Sequence, residues 1–112
     1  MKKLYLLLMA SDIFAIGCSD DQPSVRVNNQ KSSKANVQIK LADANTININ
    51  DVEAGASSSY RDIAEGATQA TATIQNEKES PSISFSASKN MNYTVVIQNT
   101  TPATLKVDSS DK

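Results

Sequence analysis

The sequence predicts an all-β protein, a single antiparallel β-sandwich that follows an N-terminal signal peptide. From residue 24 onward, apolar residues alternate with polar ones at a period of two, which is typical of strands with one buried face. Clusters of Gly, Asn, Asp, Ser and Pro separate these segments at the spacing of about 8 to 12 residues expected of a sandwich. Helix is hard to place, because Gly55 and Gly66 interrupt the best candidate.

The N-terminus has the layout of an export signal. Lys2 and Lys3 form a short basic start, and residues 4–10 are apolar without interruption. A helix that spans a membrane needs about 20 apolar residues. This run is shorter and Asp12 follows it, so we expect a removable signal and not a permanent transmembrane helix.

The signal ends in the letters AIGC, which contain the only cysteine of the chain, Cys18. The order of basic start, apolar centre and AIGC resembles a bacterial lipoprotein signal peptide, although Ala15 stands where Leu is usual. The resemblance implies cleavage between Gly17 and Cys18, loss of residues 1–17, and attachment of a diacylglycerol, with fatty acyl chains such as palmitate, to the Cys18 thiol through a thioether bond. The alternative is that Cys18 is an ordinary buried thiol.

The residues after the cysteine bear on location. Ser19 follows Cys18 where, in many Gram-negative lipoproteins, an Asp favours the inner membrane, so the resemblance implies the outer membrane. Ser19, Asp20 and Asp21 also resemble short acidic signals that send some lipoproteins to the cell surface. Residues 18–23 are predicted to form the lipidated Cys and an acidic tether. The alternative to a surface signal is that Asp20 and Asp21 only begin this solvated tether, so the periplasmic and external faces both stay open.

Residues 24–112 form the predicted sandwich domain, with about eight strands. The Thr-rich residues 68–75 fit a strand, and Tyr60 lies in a shorter candidate. The alternating apolar positions of the other strands are Val25, Val27, Val37, Ile39, Leu41, Ile47, Ile49, Ile83, Phe85, Tyr93, Val95, Ile97, Leu105 and Val107. Two packed antiparallel sheets, immunoglobulin-like in general shape, would bury that set.

The mature part also resembles a family of small exported bacterial β-sandwich domains of unknown function. The resemblance covers residues 24–108 and depends on SVRVNNQ at its start, Tyr60, IAEGATQATATI from residue 63 and NMNYTVVIQN from residue 90. The chain has KSSKAN where family members usually have a Pro-rich stretch after the first strand. These motifs are structural, so the resemblance implies a fold and no specific activity.

Composition disfavours several functions. The chain has 11 Lys and Arg against 12 Asp and Glu, so no charge excess attracts nucleic acid. It has no His, which removes the commonest general base and the commonest neutral metal ligand, and one Cys cannot form an internal disulfide. We therefore expect no catalytic residues, no cofactor and no metal site.

Three local patterns that could carry chemistry do not meet its requirements. Asp43 and Asn45 could begin a calcium loop, but Asn48 takes the position that requires Gly and the final ligand position is not acidic. Asp62 and Glu65 could form an acid pair, but they lie at a glycine turn without an aromatic platform. Residues 86–89 spell SASK without the partner motifs of a serine enzyme.

The sequence therefore predicts a non-catalytic lipid-anchored protein. It is expected to be a binding or adhesion module for a protein or glycan partner, held at the membrane through lipid on Cys18. The alternative is a structural or accessory lipoprotein of an envelope assembly without a ligand. Tyr60 and Tyr93 are expected in the core, and the loops at residues 28–36 and 76–81 are the first places to look for a ligand.

Overall fold

The computed structural model describes residues 21–112, so Gly17, Cys18, Ser19 and Asp20 lie outside the described residues. Eight strands make up this part of the chain, and it contains no helix that could span a membrane. The strands are β1 (Ser24–Asn29), β2 (Ala35–Lys40), β3 (Thr46–Val52), β4 (Arg61–Asp62), β5 (Gly66–Ile74), β6 (Ser82–Ala87), β7 (Met91–Gln98) and β8 (Thr104–Asp111).

Two four-stranded sheets pack face to face, which confirms the predicted β-sandwich. The first sheet has the order β4-β1-β7-β8 and the second has the order β3-β2-β5-β6. The alternating apolar side chains of both sheets meet in one core, in which Val25, Val27, Val37 and Ile39 are completely or almost completely buried. The period-two pattern thus corresponds to the inner faces of the two sheets.

One pair of strands departs from the predicted antiparallel arrangement. β1 runs parallel to β7, from Ser24 opposite Asn92 to Asn29 opposite Ile97, whereas every other pair in the two sheets is antiparallel. β1 thereby occupies the gap between β7 and the short β4. A parallel neighbour requires a long connection, and here the chain crosses to the second sheet twice, returning once for β4, before β7 begins.

A tyrosine and a phenylalanine join the two sheets inside the core. Tyr93 of β7 is 6% exposed, and its ring centroid lies 5.1 Å from that of Phe85 on β6. The Tyr93 hydroxyl accepts a hydrogen bond from the Ser88 backbone N–H at 2.7 Å, so its polar end is satisfied. The predicted core position of Tyr93 is confirmed.

A buried asparagine organises the loops at one end of the sandwich. The Asn29 side chain is fully buried and donates from Nδ2 to the carbonyl oxygens of Ser33 (2.7 Å) and Val52 (3.0 Å). Its Oδ1 accepts from the Lys31 backbone N–H at 3.0 Å. Asn29 therefore closes the turn that carries the chain from β1 in the first sheet to β2 in the second.

Gly66 opens β5 in a conformation that other residues rarely adopt. Its φ is +121°, and a Cβ at this position would lie 2.9 Å from Cβ of Ala42. We expect Gly66→Ala to lower the free energy of unfolding by about 2 to 3 kcal/mol, because backbone strain and a steric contact add together.

Gly55→Ala is the matched control, measured by urea denaturation. Gly55 has φ +76°, and a Cβ added there would meet no atom within 4 Å, so only the backbone cost of about 1 kcal/mol applies. Equal losses of stability in the two variants would contradict the role assigned to the contact with Ala42.

Candidate functional site

Alternation in β1 and β7 places polar side chains on the outer face of the first sheet. Val25 and Val27 face the core, so Arg26 between them faces outward, and Thr94 does the same between Tyr93 and Val95. Arg26 lies opposite Thr94 in the parallel pair of strands, and Thr94 lies opposite Asp108 of β8. A cation, a hydroxyl and a carboxylate thus form one row across three strands.

The chain before β4 brings an aromatic ring beside this row. Ser58 binds β1 twice: its backbone N–H donates to the Val27 carbonyl at 2.8 Å, and its Oγ accepts from the Val27 N–H at 2.9 Å. The Asn28 side chain donates to Ser57 Oγ at 2.9 Å. These bonds hold Tyr60 next to Arg26, with 42% of the Tyr60 residue exposed to solvent.

Arg26 is oriented by two contacts. Its Cζ lies 4.8 Å from the centroid of the Tyr60 ring, within the range of a cation–π interaction. Its Nε donates to Thr94 Oγ1 at 3.0 Å. Within residues 21–112 the two Nη nitrogens make no hydrogen bond or ion pair, so a fixed guanidinium has donors left for a ligand.

These residues line a groove of about 280 Å³ on the outer face of the first sheet. Val96 also faces outward, yet it is only 3% exposed because the neighbouring polar side chains cover it. The groove, hereafter the Arg26–Tyr60 groove, is lined by Arg26, Asn28, Gln30, Tyr60, Thr94, Val96, Asp108, Ser109 and Ser110. It combines an aromatic ring, a cation, a carboxylate and several hydroxyl and amide groups.

The prediction that Tyr60 lies in the core is wrong. The sequence does contain a signal for its exposure, because Ile63 is buried three residues later, and residues an odd number of positions apart in an extended chain face opposite sides. The small number of aromatic residues favours the core for Tyr60 when composition alone is considered. The segment instead runs along the edge of β1, where only one side of the chain can pack.

The loops predicted as ligand sites are tied together instead. Lys31 Nζ lies 2.8 Å from Glu77 Oε2 and donates to the Thr100 carbonyl at 2.9 Å. Its side chain is only 10% exposed. One lysine therefore links three loops at the same end of the sandwich, and of residues 28–36 and 76–81 only Asn28 and Gln30 reach the groove.

Of the residues predicted for lipidation and export, the structure describes Asp21 alone. The Asp21 backbone N–H donates to Asn90 Oδ1 at 2.8 Å, and its carbonyl accepts from the Asn90 N–H at 2.9 Å. Pro23 is buried, and its carbonyl accepts from the Ile63 N–H at 2.9 Å. The described part of the predicted tether thus lies against the body of the sandwich, near the turn between β6 and β7.

The patterns rejected from the sequence are surface features in the structure. Asp43 binds Asn45 through both carboxylate oxygens and closes a turn before β3. Asp62 and Glu65 are both exposed. Residues 21–112 contain no group of three or more His, Cys, Asp or Glu side chains that could hold a metal ion.

A larger concavity, of about 550 Å³, lies on the second sheet between β2, β5 and β6. It is lined largely by small or apolar residues such as Leu41, Ala67 and Phe85, and Lys40 is the one charged residue of its lining. It offers fewer convergent polar groups than the Arg26–Tyr60 groove, so the groove is the stronger candidate for a ligand site.

Comparison with known proteins supports the fold alone. No family model matches the chain, and no curated protein matches it. An NMR structure of a protein from Eubacterium rectale matches with a TM-score of 0.56 at 17% sequence identity, over 86% of this chain and 97% of that one. A similarity at this identity shows a shared architecture and carries no information about activity.

Proposed function

We propose that this chain is a lipid-anchored envelope protein that binds a glycan in the Arg26–Tyr60 groove. The observation that carries the proposal is the guanidinium of Arg26, which is held in place by Tyr60 and Thr94 while both Nη donors are without a partner among residues 21–112. The guanidinium and the aromatic ring are already positioned, so the ligand does not have to order either group. This lowers the entropic cost of binding.

The chemistry of the groove favours a sugar over a protein partner. Sugar hydroxyls both donate and accept hydrogen bonds, and the lining offers donors on Arg26, acceptors on Asp108 and hydroxyls on Thr94 and Ser110. The Tyr60 ring provides an amphipathic surface on which a pyranose can lie. The groove, of about 280 Å³, is at the small end for a ligand site, which suits a single sugar unit. A protein interface would need a larger apolar centre than this lining provides.

The position of Asp21 supports a short connection to the membrane. Only Ser19 and Asp20 separate Asp21 from Cys18, and three residues of extended chain span at most about 11 Å. Because Asp21 is bound to Asn90, lipid on Cys18 would hold the sandwich near the bilayer by the end that carries the β6–β7 turn.

The second candidate function, a structural lipoprotein without a ligand, is favoured by the outer face of the second sheet. That face carries few charges, with Lys40 at one end and Asp51 beside Lys34 at the other. Its other exposed or half-exposed polar residues are Asn36, Gln38, Asn48, Asn50, Gln69, Thr71, Thr73, Ser82, Ser84 and Ser86. A polar face of this kind could pack in an assembly, but it has no exposed aromatic ring like that of Tyr60.

A glycan array printed with bacterial and host polysaccharides tests the proposal. We expect the parent protein to bind a subset of glycans, and Tyr60→Ala to weaken that binding about 30-fold, because loss of an aromatic hot spot costs about 2 kcal/mol. Thr94→Val, which removes the acceptor for Arg26 Nε, is expected to weaken binding in the same direction.

Gln38→Ala is the matched control, since Gln38 is an exposed polar residue on the outer face of the opposite sheet. Its binding should equal that of the parent protein. Absence of binding by the parent protein to every glycan, or equal losses in Tyr60→Ala and Gln38→Ala, would reject the groove as a glycan site.

A further inference from the structure

Of the four edge strands of the sandwich, β6 alone lacks the usual protection against pairing. β3 has an irregular register opposite β2, with Asp51 at φ +58°, and β4 is only two residues long. β8 carries Lys106, Asp108 and Asp111. β6 (Ser82–Ala87) has no charge, no proline and no break in its register with β5, whereas natural edge strands are normally blunted by such features.

The phase of the β5–β6 ladder shows which backbone groups of β6 point outward. The Ala72 N–H donates to the Pro81 carbonyl at 2.9 Å, and Pro81 directly precedes β6. Antiparallel ladders alternate, so Ile83 and Phe85 direct their backbone groups toward β5, and Ser82, Ser84 and Ser86 direct theirs to the open edge. Among these outward backbone groups the Ser86 carbonyl alone has a hydrogen bond within residues 21–112, which it accepts from the Tyr93 hydroxyl at 3.4 Å.

The same side of the sandwich exposes part of the core. Ile83 and Phe85 of β6, and Leu105 and Val107 of β8, pack against the core but are only half-buried. β6 and β8 are the outermost strands of the two sheets on this side. An open strand edge therefore lies next to a seam of half-exposed apolar side chains, which is a surface suited to another protein chain.

We propose that β6 pairs antiparallel with β6 of a second copy of this chain, about a two-fold axis at Ser84. In this register Ser84 lies opposite Ser84 of the second copy, Ser82 opposite Ser86, and Ile83 opposite Phe85. The outward backbone groups of the three serines meet as hydrogen-bonded pairs, and the apolar side chains meet on the inner face.

The sequence of β6 favours a second copy over an unrelated strand. The segment SISFS is symmetric in polarity about Ser84, so the two-fold axis leaves no polar residue opposite an apolar one and no like charges in contact. An axis perpendicular to the sheets also brings the two β8 strands side by side, which covers Leu105 and Val107. The interface lies outside the Arg26–Tyr60 groove, so the dimer and the glycan site can be tested independently of each other.

Sedimentation equilibrium of the full chain, purified in detergent under reducing conditions, tests the proposal. The parent protein is expected to be a dimer. Ser84→Lys places two ammonium groups directly opposite each other and should weaken the dimer at least tenfold, and Ser84→Glu should do the same. An equimolar mixture of Ser84→Lys and Ser84→Glu should recover the dimer, because opposite charges then face each other across the axis.

Asn50→Lys is the matched control, since it adds a lysine to the exposed outer face of the same sheet on the opposite edge strand, β3. It should remain as dimeric as the parent. Circular dichroism establishes that each variant is folded. The proposal would be overturned if the parent protein were monomeric. It would also be overturned if Ser84→Lys dimerised as well as the parent.

Discussion

Asn29→Ala is expected to lower the free energy of unfolding by about 3 kcal/mol, and the melting temperature by roughly 15 °C. The substitution removes a fully buried amide and leaves three backbone groups without their partners: the carbonyls of Ser33 and Val52 and the N–H of Lys31. Each buried polar group left unsatisfied costs about 1 to 3 kcal/mol. Because Ser33 is half-buried, water can hydrogen-bond to its carbonyl in the variant and recover part of the loss. The expected total therefore lies near the lower end of the range for three unsatisfied groups.

Two further variants separate hydrogen bonding from side-chain volume. Asn29→Asp is nearly isosteric but replaces the Nδ2 donor by an oxygen that faces two carbonyls, so it should destabilise at least as much as Asn29→Ala. Asn28→Ala is the matched control, because the neighbouring side chain is half-exposed and its Nδ2 bond to Ser57 is at the surface. It should cost less than about 1 kcal/mol.

Urea denaturation and thermal unfolding followed by circular dichroism measure these differences. Similar losses in Asn29→Ala and Asn28→Ala would show that the buried amide does not organise the loops as the structure indicates. A stable Asn29→Asp protein would show that shape, and not hydrogen bonding, is what the position requires.

Cys18→Ala is expected to abolish membrane association altogether. If lipid on Cys18 is the anchor, the variant should incorporate no labelled palmitate and should appear in the soluble fraction of disrupted cells. Intact-mass spectra of the parent should show a chain that begins at Cys18 and carries acyl groups. Ser19→Ala is the matched control, since it alters the neighbouring residue and leaves the thiol in place.

A parent protein with a bare thiol and residues 1–17 still attached would contradict lipidation. The separate prediction of surface exposure is tested by adding protease to whole cells that express the parent or Asp20→Ala with Asp21→Ala. The double variant should become protected. Docking of the segment should survive in it, because Asp21 binds Asn90 through its backbone and not through its exposed carboxylate.

The strands are the part of this fold that can be predicted from sequence. Period-two alternation at Val25 and Val27, at Val37 and Ile39, and at Tyr93 and Val95 marks inner faces correctly, because alternation in an extended chain is a local property. The same reasoning places Arg26 on an outer face. Strand partners follow from no such local rule, and for that reason the parallel pairing of β1 with β7 differs from the antiparallel arrangement that the sequence predicts.

The candidate site is predictable only in fragments. Thr94 and Asp108 belong to segments identified as strands, but their alignment with Arg26 depends on the register of two strand pairs. Composition predicts Tyr60 in the core, and the structure places it on the surface beside Arg26. A groove between side chains that are distant in sequence requires the packing of the whole domain to bring them together.

The sequence by itself determined that the body of this protein is built from strands with one apolar face, because side-chain alternation acts within a few residues. It also contains the signal from which lipid attachment at Cys18 is predicted. Only the tertiary structure decided that Tyr60 and Arg26 meet on the outer face of the first sheet and that β6 is left as an uncharged edge. Those features depend on which strands become neighbours. The pairing of strands is set by burial of apolar surface over the whole chain and not within any one segment.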